Sequence, residues 1–253
     1  MLKRRIIPIE LFENGRLVKS KQFSDMRDVG DPIRSTAIYS DQDADEILLL
    51  NISRDSRAIN KFLPVISKIS ENCFVPLTVG GGVRTYDDAK QLICAGADKI
   101  VINSALYDNP GLITEIANSY GSQAVVACID FRRINSNCDV MLYSNCSQKS
   151  ESIGLDEHLN NILNAGAGEL VIQSIDNDGT MCGYDFEVLH RVISLSRIPV
   201  IVAGGAGNFL DLKRAFEMGV DGAACGSIFN FGDNNPLRAK SFLKNYGIPL
   251  KNI

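Results

Sequence analysis

Residues 7–15 read Ile-Pro-Ile-Glu-Leu-Phe-Glu-Asn-Gly, an apolar run that meets an acidic residue and then a polar turn. A carboxylate at the end of a buried strand suits general acid–base work, because the strand holds it while the loop beyond admits a reactant. Glu10 is therefore a first candidate, and Leu11 beside it raises the question of which of the two faces inward. A second set of residues suits anion binding. Gly80-Gly81-Gly82 and Gly204-Gly205 each follow an apolar run, as do Asn103-Ser104 and Gly226-Ser227. Glycine lets a backbone approach a phosphate closely, and a helix start beyond it presents free N–H groups. Either glycine cluster alone is equally well explained as a tight turn between a strand and a helix. Two copies at matching positions favour an elongated ligand with a phosphate at each end.

The elements that must position these residues follow a rhythm. Eight short apolar runs recur: RRIIPIEL, EILLLNI, VPLTVGG, KIVIN, AVVACID, ELVIQSI, IPVIVAGG and GAACGS. Between them lie stretches with helical spacing, including residues 85–95, 110–119 and 208–218. Alternating strands and helices predict parallel βαβ units, and strands apolar along their whole length are buried on both faces. Eight units without a break in composition predict an α/β fold, a closed (β/α)8 TIM barrel forming a single domain over 1–253. Residues 75–106 also align without gaps to 198–229, with identities that include Gly81/Gly204, Gly82/Gly205, Asp88/Asp211, Asp98/Asp221 and Ser104/Ser227. The same offset pairs 44–55 with 167–178, so the barrel reads as two homologous half-barrels, approximately 1–120 and 121–253.

Composition narrows the function. With 45% apolar and 22% charged residues the chain has the makeup of a globular protein with a sizeable core. A net charge of −4 gives no footprint for nucleic acid, so phosphate binding must come from local sites. The basic N-terminus followed by a short apolar run breaks at Glu10, no small-residue cleavage site follows, and no run reaches membrane-spanning length. These features predict a cytoplasmic chain with no membrane partner. Seven cysteines without a C-x-x-C pair, and only two histidines, assemble no zinc spacing. Most of the cysteines (Cys73, Cys94, Cys128, Cys138, Cys146, Cys182, Cys225) are expected to be buried thiols, and neither metal nor cofactor is expected.

More specific motifs are RRII at the start, GRLVK at 15–19, MRDVGDP at 26–32 and TVGGGVRT at 78–85. They continue with GADKIVIN at 96–103, NPGLITEIANSYGSQAVVACID at 109–130, SIDNDGTMCGYD at 174–185 and AGGAG at 203–207. Over essentially its full length the chain thereby resembles the cyclase subunits of imidazole glycerol phosphate synthase. The related isomerase of the histidine pathway shares the half-barrel repeat but looks less like RDVGDP and SIDNDGTMCGYD. The resemblance implies a heterodimer with a glutaminase whose ammonia enters the barrel at its N-terminal face. At the opposite face the ammonia would join a ribulosyl-type bisphosphate, giving imidazole glycerol phosphate and an aminoimidazole carboxamide ribotide. It further implies that Asp130 is one of two opposed catalytic carboxylates. Asp178 is a second catalytic candidate, with Asp176 at the substrate and Gly179 near a phosphate, although an Asp-Gly turn explains this stretch as well. Lys19 would reach the ligand from a mobile lid formed by a long loop, roughly 12–30. Arg5, Glu46, Lys99 and Glu169 match a ring of charges at the ammonia entrance, and Asp98 would face the glutaminase.

The pattern is broken at three positions. Leu11 stands where the first catalytic carboxylate belongs, Asn51 replaces an Asp, and Gln173 replaces a small Thr. The internal repeat independently sets Leu11 opposite Asp130 and Glu10 opposite Ile129. Alternation along a strand turns Glu10 away from the lumen, unless a bulge re-aims it as a substitute acid. Loss of one proton-transfer group costs about 10²–10⁴-fold in rate. Two readings follow: a cyclase using Asp130 with another group, or a paralogue deficient in cyclisation. The second would dock a glutaminase and pass ammonia to a sugar amidotransferase of surface-polysaccharide synthesis.

Overall fold

The computed structural model describes residues 3–53, 58–134, 139–146 and 148–251. Eight parallel strands form the barrel: β1 (Arg5–Glu13), β4 (Ile47–Asn51), β5 (Leu77–Gly80), β6 (Lys99–Ile102), β7 (Val125–Arg133), β10 (Glu169–Ser174), β11 (Val200–Ala203) and β12 (Gly222–Cys225). Each pairs in parallel with the next, and β12 pairs with β1, which closes the circle. The predicted helical stretches form α3 (Tyr86–Cys94), α5 (Gly111–Tyr120) and α8 (Phe209–Glu217).

Strand alternation divides the apolar residues into two layers. Ile7, Ile9, Leu48, Val101, Val126, Cys128, Val171, Ile201, Ala203 and Ala224 fill the lumen, with Leu50 packed against them. The other face of the same strands, including Ile6, Phe12, Leu49, Ile129 and Ile172, packs under the helices. Burial on both faces is why these strands read as continuous apolar runs.

Aspartates shared by the two halves hold equivalent backbone groups. Asp88 Oδ2 accepts from Arg84 N and Thr85 N, closing a capping box on α3. Asp211 does the same for Gly207 N, Asn208 N and α8. Asp98 accepts from Leu77 N at the foot of β5, and Asp221 from Val200 N at the foot of β11. Asp98 is exposed there, on the N-terminal face of the barrel.

Two expectations need correction. The segment after β1 is not a loop but a hairpin, β2 (Arg16–Lys21) and β3 (Ser24–Gly30), with β2 antiparallel to the end of β1 through Leu11↔Val18, Phe12↔Leu17 and Glu13↔Arg16. Asn14 and Gly15, both at positive φ (49° and 87°), make the two-residue turn into it. A second short ribbon, β8 (Val140–Ser144) and β9 (Lys149–Glu151), extends from β7. The cysteines are also less buried than expected: Cys128 and Cys225 are buried, Cys73 and Cys146 half-buried, and Cys94 and Cys182 exposed. Cys94 is the last residue of α3, and Cys182 lies in the segment between β10 and the next helix. Cys138 lies outside the described residues. Among the described residues no helix is long and apolar enough to cross a membrane.

Candidate active site

At the C-terminal ends of the strands, β7 carries Asp130 on the same face as Val126 and Cys128, toward the lumen. It is 6% exposed. Its Oδ2 accepts from Asn103 Nδ2 at 2.8 Å, and Cys128 Sγ lies 3.6 Å from Oδ1. Burial pushes the carboxyl up to about 7, with Asp178 nearby adding to the rise, while the bonds from Cys128 and Asn103 oppose it. A carboxyl that titrates near neutrality serves as both acid and base. Asn103 thus meets Asp130 through its amide nitrogen, while its buried Oδ1 lacks a partner among the described residues.

No such group projects from β1. The register with β4 runs unbroken from Ile9↔Leu48 to Phe12↔Asn51, so no bulge re-aims the strand end. Leu11 shares the inward parity of Ile7 and Ile9, is 7% exposed, and has Leu50 and Val18 as register neighbours. Glu10 takes the outward parity of Ile6 and Phe12, and its Oε2 accepts from Ser35 of α1 (Pro32–Asp41) at 3.2 Å. As a direct substitute for a lumen carboxylate, Glu10 is on the wrong side of the wall. Asn51 caps its own loop, its Oδ1 accepting from Ser53 N.

The hairpin brings Lys19 and Ser20 to the mouth. Lys19 does not sit on a solvated lid: it is 6% exposed, and its Nζ donates to Ile9 O at 2.5 Å. Nζ also stands over Gly226, where a Cβ would lie 2.1 Å from it. Burial pushes the lysine down, against the charges of Glu10 and Asp178. Asp178, in the loop after β10, accepts from Ser20 Oγ at 2.8 Å, and burial raises it against Lys19, Ser20 and Gln173. The hairpin tip is tied to the same loop, Gln22 N donating to Asp178 O and Gln22 Nε2 to Asp176 O. Gly179 lies directly under Ser20 O, at a φ of +70°. The hairpin therefore rises from β1 and lands on the β10 loop, across the ends of β12 and β11. The Asp176 carboxylate turns elsewhere, accepting from Arg133 N.

The glycine clusters divide their work. Gly81 packs on Asn51 O and Gly204 on Ser174 O, equivalent carbonyls in the two halves, so the first glycine of each pair serves the turn itself. Beyond them, Gly82 faces open space, whereas Gly205 is covered by Gly183 O. Ser104 Oγ accepts from Asn145 N of the β8–β9 turn, and Ser227 opens the short helix α9 (Ser227–Asn230). The capping boxes already occupy backbone donors ahead of α3 and α8. Gly82, Ser104, Gly226, Ser227 and Lys19 lie outside these capping boxes.

At the opposite end Arg5, Glu46, Lys99 and Glu169 form one closed ring. Arg5 Nη1 meets Glu46 at 2.6 Å and Glu169 at 3.0 Å, and Lys99 Nζ meets each at 3.0 Å. Thr78 Oγ1 donates to the remaining oxygen of Glu46 at 2.5 Å. Alternating charges satisfy one another in this way where a single buried charge would be costly.

Sequence reasoning missed the Asn103–Asp130 clamp and the seating of Ser20 and Gln22. The Asn-Gly turn at 14–15 was the signal for the hairpin.

Comparison with known proteins adds three relatives and one family. A family described as histidine biosynthesis protein matches residues 5–235. The imidazole glycerol phosphate synthase subunit HisF of a Thermotoga species is 38% identical over 251 residues, covering 99% of this chain and 98% of that protein. The HisF subunit of Chloroherpeton thalassium is 39% identical over 254 residues, with 99% and 100% covered. That of Alkaliphilus metalliredigens is 38% identical over 252 residues, with the same coverage.

Proposed function

Because this chain belongs to the histidine biosynthesis protein family, we propose that it is the cyclase subunit of a glutamine amidotransferase complex. Ammonia released by a glutaminase partner enters at the charged ring of Arg5, Glu46, Lys99 and Glu169, beside Asp98. It crosses a lumen lined by Ile7, Val101, Val126, Val171 and Ile201. Such a lining suits neutral ammonia and opposes ammonium, since an unpaired charge there is costly. At the mouth the ammonia joins a ribulosyl aminoimidazole carboxamide bisphosphate, which closes to imidazole glycerol phosphate and releases aminoimidazole carboxamide ribotide. One phosphate lies at Gly226-Ser227 with Lys19, the other at Gly82 and Ser104.

The observation that carries this reading is Asp130, buried at the end of β7 with a carboxyl that titrates near 7. Addition, ring closure and cleavage each move protons on more than one side of the substrate. Asp178 supplies the second carboxylate: it lies within electrostatic range of Asp130 and is held by Ser20 beside Lys19. Turnover of the bisphosphate by purified chain with ammonium salt tests the reading. Asp130→Asn should abolish it.

Leu11 favours a second reading. With an apolar wall where the resemblance places a carboxylate, the chain would dock the glutaminase and hand ammonia to a sugar amidotransferase without cyclising anything. Intact bisphosphate binding with no turnover, in the presence of ammonium, would refute the cyclase and leave this conduit.

A further inference from the structure

Lys19 is a buried lysine, and the β1–β12 seam explains where it sits. Ladder pairing between these strands runs from Arg5↔Gly222 to Pro8↔Cys225 and stops. The next carbonyl along β1, Ile9 O, accepts from Lys19 Nζ, which lies over Gly226. The peptide that receives the ammonium is therefore the one linking Ile9 to Glu10.

Glu10 approaches from behind the same strand. It is 1% exposed, its Oε2 accepts from the neutral hydroxyl of Ser35, and its buried Oε1 has no hydrogen-bond partner among the described residues. A buried carboxylate so thinly solvated by the protein is costly unless a charge compensates it. The groups that interact with it are Ser35 and Tyr39 from α1 and Lys19 from β2, while Cys225 of β12 acts on Lys19 and Tyr39. Asp178 acts on Lys19 from the β10 loop. Tyr39 OH donates to Asn230 Oδ1, and the buried Asn230 Nδ2 has no partner among the described residues. Lys19 is the cation among them. Of the charges acting on Lys19, that of Glu10 is the largest, ahead of Asp178.

We propose that Glu10 is a positioning residue, the counterion behind the barrel wall that keeps Lys19 charged and seated at the β1–β12 seam, ready for a phosphate at Gly226-Ser227. The proposal rests on the reading of that corner as a phosphate subsite. Burial pushes Glu10 up to about 6 and Lys19 down, and the charge of each group opposes that effect on the other, favouring its charged form. Without the carboxylate, Lys19 keeps Asp178 and Cys225 as the groups that raise it, and releases its proton at lower pH.

The test uses the full chain as wild type, Glu10→Gln, Glu10→Asp and Lys19→Met. Two readouts are taken from pH 6 to 10: inorganic phosphate affinity by calorimetry, and the acetylation rate of Lys19 by peptide mapping. In Glu10→Gln the pH midpoint of Lys19 acetylation should fall by about one unit or more, and phosphate binding should weaken roughly tenfold at pH 9. Glu10→Asp, one methylene shorter, should fall between the two. Should Glu10→Gln not fold, the Glu10→Asp midpoint decides, expected below wild type. An acetylation midpoint identical in wild type and the folded Glu10 variants overturns the counterion. Unchanged phosphate affinity in Lys19→Met overturns the subsite reading instead, and the acetylation midpoints then still judge the counterion.

Discussion

Asp130→Asn should change stability in a pH-dependent way that follows from burial alone. In the folded chain the carboxyl is pushed from 3.8 up to about 7. The folded state therefore binds its proton more tightly than the unfolded state does. As pH rises through the interval between these values, the unfolded chain releases the proton first and stability falls. At about 1.36 kcal/mol per unit, roughly three units amount to about 4 kcal/mol of stability lost by pH 8. Part of this loss has already occurred at pH 5, so the loss between pH 5 and pH 8 is about 2–3 kcal/mol. Asparagine cannot ionise, and its amide oxygen still accepts from Asn103. The variant should thus gain about 2–3 kcal/mol on the wild type between pH 5 and pH 8, while losing ammonium-dependent turnover. Urea unfolding of both proteins at pH 5, 6, 7 and 8 measures the difference directly. A difference in stability that stays constant across this range would refute a buried, proton-holding Asp130, whatever the activity of the variant.

Leu11→Asp places a carboxylate on the inward face of β1 against Leu50 and Val18. Exchanging a buried leucine for a charge should cost about 2–5 kcal/mol. If the lumen parity is right and cyclisation is limited by the missing group, ammonium-dependent turnover should rise about tenfold or more. Unchanged turnover in a folded variant would show that Leu11 is not what limits it. Gly179→Ala adds a Cβ that would lie 2.2 Å from Ser20 O at a φ of +70°. It should cost about 1–2 kcal/mol and unseat the hairpin, so that trypsin cleaves at Lys21 or Arg27 several-fold faster. Cleavage at the wild-type rate would mean that the hairpin does not depend on this contact.

The barrel strands were legible because burial on both faces leaves uninterrupted apolar runs, a pattern that survives without any knowledge of neighbours. The ring of Arg5, Glu46, Lys99 and Glu169 was legible only through the family resemblance, because a charge at a strand start by itself reads as a group facing water, and the pairing is seen once the strands stand side by side. The mouth was harder. Lys19 and Ser20 sit in a polar stretch that reads as solvated loop, yet both are buried, because the hairpin lies down on the β10 loop rather than standing in water. That docking joins residues about 160 positions apart, as with Ser20 and Asp178, and no local pattern encodes it. The contact of Asn103 with Asp130 depends likewise on β6 lying beside β7. Asn103 read as an anion ligand because it follows an apolar run, and the neighbouring strand supplied a different partner.

One residue of parity separates the two faces of β1, and the charge balance of the mouth turns on it. A carboxylate at position 11 would stand in the lumen, where it would add to the repulsion that Asp178 already exerts on Asp130. Here the acidic residue is at position 10, and its charge acts on Lys19 through the wall instead. The lumen side of β1 is thereby apolar from Ile7 through Leu11, while the lysine at the seam keeps an anionic neighbour. The two halves of this arrangement make opposite demands on proton transfer. Leu11 offers no proton-exchanging group where the resemblance places one, whereas Glu10, on our proposal, steadies a group that holds its proton. On the proposed reading, a site so altered would retain anion binding more readily than proton-transfer chemistry. Phosphate affinity and turnover are therefore the two quantities whose separation distinguishes a working cyclase from an ammonia conduit.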